Sequence, residues 1–139
     1  MKSRESLIRL HRFQVDEKRR QVADIESMLE DFQRKERDLE AQVEREQEKA
    51  GISDVAHYAY PMFAKSMRAR RDNMIESMSE LSRQLDQARE ELADAYRELK
   101  KYELVEQSRQ RRAKREAARI EQNVLDEVSL NMHRQNMGG

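Results

Sequence analysis

The sequence predicts an all-α chain, an antiparallel two-helix coiled-coil hairpin with unequal arms and a C-terminal helical overhang. Three observations predict it. Of 139 residues, 40% are Asp, Glu, Lys or Arg and only 5% are aromatic, so a thick globular core cannot be built. Three Gly and one Pro are too few to punctuate a sheet, since average usage would supply about ten and seven. Apolar residues also recur at seven-residue spacing through most of the length, which separates this chain from a merely charged, disordered one.

The first helix is expected over about residues 4–49. Ile8, Val15, Val22, Leu29, Glu36, Val43 and Ala50 form one heptad row, and His11, Lys18, Ile25, Phe32, Leu39 and Glu46 form its companion. Nine of these 13 are apolar, well above the chain's 37% hydrophobic content. A hinge is expected over residues 50–61, bracketed by Gly51 and Pro61. Gly51 suits a helix C-terminus, where positive φ is common. Ser53 or Asp54 could cap a short turn, and Pro61 fits a first helical position.

The second helix is expected over about 62–134, with Gly138 and Gly139 frayed. Its rows are Met67, Met74, Leu81, Ala88, Ala95, Tyr102 and Arg71, Met78, Leu85, Leu92, Leu99, ten apolar positions of 11. In antiparallel pairing, facing residue numbers have a constant sum. A sum of 110 joins Val22 to Ala88, Ile25 to Leu85, Leu29 to Leu81, Phe32 to Met78 and Val43 to Met67. It also brings Glu36 and Arg71 into adjacent layers, where they could pair across the seam. The whole chain is read as one coiled-coil domain.

That register exhausts helix 1 near Tyr102, so residues beyond about 108 have no partner within the chain. The charge changes there as well. Residues 109–119 carry six basic side chains (Arg109, Arg111, Arg112, Lys114, Arg115 and Arg119) against Glu116 alone. Residues 1–50 carry 12 basic and 13 acidic, and the chain's net charge is zero. An apolar stripe then resumes at Ala113, Ala117, Ile120, Val124 and Val128. An amphipathic helix without a partner is a poor free-standing object in water, so this segment reads as a binding element.

Catalytic signals are missing. His11, His57 and His133 show no metal-ligand spacing. No Gly-rich phosphate loop or strained nucleophile turn occurs, and the carboxylate pairs fall on solvated faces. No cofactor and no metal are expected, and zero net charge argues against a nucleic-acid partner. With no Cys, the redox compartment is not readable. No apolar run is long enough to span a bilayer and no secretory signal opens the chain, so a cytoplasmic protein is expected. The hinge region gathers Tyr58, Tyr60 and Phe63, three of seven aromatics, with His57, Met62 and Met67 beside them. A thin seam cannot bury them all, and aromatic–Met clusters favour protein partners.

Three segments also carry a family resemblance. The run Phe13-Gln14-Val15-Asp16-Glu17-Lys18-Arg19-Arg20, the hinge with Arg70-Arg71-Asp72-Asn73 after it, and Glu98-Leu99-Lys100-Lys101-Tyr102 resemble the flagellar FliJ family in its alphaproteobacterial branch. The resemblance implies a non-enzymatic component of the flagellar type III export apparatus, serving flagellum assembly and motility. It implies a two-helix stalk in the pore of the hexameric export ATPase, touching the cytoplasmic domain of the export gate. Chaperone-like roles toward export substrates or their chaperones are implied too. The location implied is cytoplasmic, at the inner membrane only through the export apparatus. On this resemblance Phe13, Arg19, Arg20, Arg111, Arg112, Arg115, Arg119, Ile120 and Val124 are expected to meet the ATPase. Tyr58, Tyr60, Phe63 and Met67 are expected to meet the gate. Arg70 and Met74 stand where better-known members have a small residue and a His. Two other readings of the residues stay open, an export or general chaperone without a stalk role, and a coiled-coil scaffold or regulator.

Overall fold

The computed structural model describes residues 2–52 and 54–138, and all of them are helical. Helix α1 runs Lys2–Ile52 and helix α2 runs Asp54–Gly138. The two pack against one another as a hairpin without strands among the described residues. The chain divides into two compact units, Phe13–Tyr96 and the pair Met1–Arg12 with Arg97–Gly139.

In the unit Phe13–Tyr96 every heptad-row position except Arg71 is buried or half-buried, and Gln42, Ala56, Tyr60, Phe63, Ala64, Ser77 and Glu91 are half-buried beside them. Val15, Val22, Leu39, Met67, Leu85 and Ala88 are buried. Val22, Leu85 and Ala88 form one cluster, with Ile25, Leu29 and Leu92 packed on it. Val22 with Ala88 and Ile25 with Leu85 satisfy the sum of 110. Val43 and Met67 line one groove, as the same register requires. Polar links also cross this seam. Lys18, a charged residue in the core row, donates to Glu91 at 3.0 Å, and Arg89 reaches Glu26 at 3.6 Å. Lys18 is tolerated in the seam because its long stem packs there while its ammonium finds a carboxylate. Glu36 and Arg71 form no ion pair among the described residues; Arg71 is exposed at the rim of a hollow instead.

In the unit Met1–Arg12 with Arg97–Gly139, Leu99 is buried and His11 stacks on Tyr102 with ring centroids 4.5 Å apart. Arg12 approaches Glu103 at 4.0 Å. The Nδ1 of His11 is buried and makes no hydrogen bond to the described residues.

The helix ends differ from the expected ones. Gly51 lies inside α1, and no described Gly has positive φ. Pro61 is inside α2 rather than at its first position. Residues 50–52 and 54–61 extend the helices where a hinge was expected; Ser53 and Gly139 lie outside the described residues, and Gly138 is helical. A proline removes one N–H and crowds the carbonyl four residues earlier. Within two turns of a helix start that is a local loss, and α2 continues through it, opening on the acidic Asp54. Because Gly51 is helical and a Cβ added there would meet nothing within 4 Å, Gly51→Ala should stabilise the chain by about 0.5–1 kcal/mol. Thermal unfolding followed by helicity checks this. A lowered midpoint would mean that Gly51 uses a conformation closed to Ala.

Candidate functional site

Residue 110 marks an abrupt change. Positions 102, 103, 106, 108 and 109 are half-buried, whereas every described residue from 110 to 138 is exposed. The overhang is therefore a helix with no intramolecular cover. Ile120, Val124, Leu125, Val128, Leu130 and Met132 each leave about half their surface in water.

Charge in the overhang is divided more finely than composition suggests. Arg109 donates two hydrogen bonds to Glu106, through Nε at 3.3 Å and Nη2 at 3.2 Å. Arg119 does the same to Glu116, at 3.2 and 2.5 Å. The expectation that nothing in the chain neutralises Arg119 is thus corrected, and the cause is its i,i+3 spacing from Glu116. Arg111, Arg112, Lys114 and Arg115 make no ion pair among the described residues, and Arg111 and Lys114 line a shallow hollow with Gln107 and Gln110.

At about 100° per residue, Arg111, Arg115 and Arg119 centre roughly opposite the stripe of Ala113, Ala117, Ile120 and Val124. One bare helix thus shows a basic face and an apolar face on opposite sides.

On α1, Phe13 is 53% exposed despite its size. Arg20, seven residues on, shares its outer face. Arg19 lies 3.9 Å from Asp16 and is exposed.

The other aromatic group divides in two. Tyr60 and Phe63 lie 6.3 Å apart by ring centroid, with Phe63 half-buried. Met67 is 6% exposed, so it is floor rather than surface. With Leu39, Val43 and Ala64 it underlies a groove of about 590 Å³ edged by Glu40, Glu44, Arg68 and Arg71. Tyr58 stands apart, 83% exposed, with His57 edge-on at 6.1 Å. Met62, expected as part of the aromatic–Met cluster, is equally bare, as are Ile52 and Val55, which carried no expected role. The spacing of Val55, Tyr58 and Met62, three then four residues, was the available signal.

No described cluster of His, Asp or Glu could hold a metal ion, and no described helix is long and apolar enough to cross a membrane. The perturbed acids belong to the scaffold. The hydrogen bond from Lys18, aided by Gln87 and by the lysine charge, holds Glu91 below the ordinary value of 4.5. The Arg109 hydrogen bond, then the charges of Arg109 and Arg4, do the same for Glu106. A carboxylate whose folded value lies below its unfolded one stabilises the fold fully above the unfolded value and loses that contribution as pH falls through the folded one. Helix unfolding should therefore become easier as pH drops below 4.5. Glu91→Gln should flatten that loss relative to the unaltered chain. An unchanged acid profile in thermal melts would show that the seam pair adds nothing.

A family profile described as Flagellar FliJ protein matches residues 1–138. No curated protein and no solved structure matches the chain.

Proposed function

The chain belongs to the flagellar FliJ family, non-catalytic components of flagellar protein export, and on that premise we propose that it is the stalk that couples the export ATPase to the export gate. The observation that carries this reading is the overhang. Its basic and apolar faces are opposed and both are bare from residue 110 onward. A flat partner can cover one face of a helix, whereas an enclosing pore covers both. A hexameric ATPase ring is such an enclosure.

In this reading Arg111, Arg112 and Arg115 meet acidic groups of the ring, with Arg119 shared between Glu116 and the partner. Ile120 and Val124 pack on the opposite wall. Phe13, Arg19 and Arg20 add a contact from the outer face of α1. Tyr60 and Phe63, over the floor made by Met67, receive the cytoplasmic domain of the gate. An asymmetric stalk in a symmetric ring favours some subunit states over others by differential affinity, and that bias is what couples turnover to the gate. The chain itself hydrolyses nothing, and it works on the cytoplasmic side, held at the inner membrane through the apparatus.

Titration of the purified chain into the export ATPase tests this. Ring assembly and turnover should both rise, saturating at one chain per ring. A chaperone without a stalk role would bind substrates and leave turnover flat, and a self-associating scaffold would show a dimer mass without stimulating anything.

A further inference from the structure

Residues 55–71 contain no Asp or Glu, and four of the last seven are basic: Lys65, Arg68, Arg70 and Arg71. None of the four makes an ion pair among the described residues. Arg68 and Arg71 edge the groove opposite Glu40 and Glu44, which leaves Lys65 and Arg70 the freest charges. Just before this run lie Ile52 at 89%, Val55 at 80%, Tyr58 at 83% and Met62 at 80% exposure. No other large hydrophobic side chain among the described residues is as bare.

A two-helix seam accounts for one apolar stripe on each helix. In α2 near its start that stripe is Tyr60, Ala64 and Met67, which line the groove. At about 100° per residue, Val55, Tyr58, Met62 and Lys65 fall within a sector of about 80°, roughly opposite Tyr60 and Met67. The seam cannot take up this second stripe. It is short, convex and ends in positive charge.

We propose that this outer face lies in the interfacial layer of an anionic lipid bilayer. Val55 and Met62 enter the acyl boundary, Tyr58 keeps its hydroxyl at the wet side, and Lys65 holds headgroup phosphates, with Arg70 at the flank of the ridge. The absence of carboxylates over 17 residues matches an anionic surface. A convex ridge asks no shape complementarity of a fluid bilayer, whereas a protein partner would need a matching groove. The mode is contact with the surface, since no described helix is apolar enough to cross. The inference stands apart from the ring reading, since failure to stimulate the ATPase would leave it intact.

The test is flotation of the full chain with vesicles of phosphatidylglycerol mixed into phosphatidylcholine, against vesicles of phosphatidylcholine alone. The chain should float with the anionic vesicles, and less so as salt rises. Each basic side chain at an anionic surface contributes about fivefold to partitioning, so Lys65→Glu with Arg70→Glu should lower it by about twenty-fivefold or more. Val55→Ser, Tyr58→Ser and Met62→Ser together should lower it at least about tenfold, with helicity unchanged because all three side chains are four-fifths exposed. Equal flotation with both vesicle types overturns the proposal. So does native-like flotation of both variants. Loss of flotation on reversing the overhang arginines instead would assign lipid contact to residues 111–119, and that overturns it too.

Discussion

Changing Arg111, Arg112, Arg115 and Arg119 to Glu should weaken engagement of the export ATPase by tens-fold or more while leaving the helices formed. Arg and Glu have similar helix propensity, and residues 110–138 pack against nothing in the chain. Each exposed pair lost removes only about 0.2–1 kcal/mol. Reversal turns attraction into repulsion, so four changes compound. The effect should fall at high salt, because exposed charges are screened over about 10 Å at 0.1 M. Arg119 is the weakest contributor of the four, since Glu116 already holds its guanidinium. Reverting that single change should recover the least. Phe63→Ala is the comparison, and it should spare ATPase stimulation and impair capture of the gate's cytoplasmic domain. Met67 is unsuitable for this purpose, because truncating a buried floor residue would also loosen the seam. Normal stimulation by the fourfold variant at low salt would reduce the basic patch to a solvated face.

The heptads were legible because a two-helix seam has few degrees of freedom. Only two rows per helix can be buried, and one constant sum fixes which layers meet. Val22 with Ala88 and Ile25 with Leu85 follow from that sum. The beginning of the overhang was legible for the same reason, since helix 1 runs out of residues to offer. The bend was harder. Gly and Pro mark what a backbone can do, and neither obliges a helix to stop. Gly51 stays helical without positive φ, and Pro61 sits inside α2. Tyr58 and Met62 were legible as residues the seam cannot bury, but the stripe they form with Val55 was hidden by the same assumption, because helical spacing is not sought in a segment taken for a hinge. Side-chain pairing was legible only in principle. The Glu106–Arg109 and Glu116–Arg119 pairs have plain i,i+3 spacing, but counting charge by segment averages them away.

Truncation should separate the seam from the overhang most sharply. Leu85→Ala should destabilise the chain by about 2–3 kcal/mol, the low end for a buried leucine, because a two-stranded seam is thin enough to relax into the gap. Leu85 sits in the cluster of Val22 and Ala88, and Ala88 is too small to fill the space. A domain stable by about 5–15 kcal/mol would feel this as a clear drop in midpoint. Ile120→Ala with Val124→Ala removes as much apolar surface from the overhang, yet those side chains are already half in water with nothing packed on them. In the isolated chain that pair should shift stability by no more than about 0.5 kcal/mol, the scale of helix propensity. In the presence of the ATPase ring the same pair should become costly, because the surface it removes is then buried in the partner. Chemical denaturation of both variants, with the fourfold arginine variant as a third, measures the contrast. Equal losses from the seam and the overhang in the isolated chain would mean that residues 110–138 already have a partner, a second copy of the chain, and the ring would have to displace it before binding.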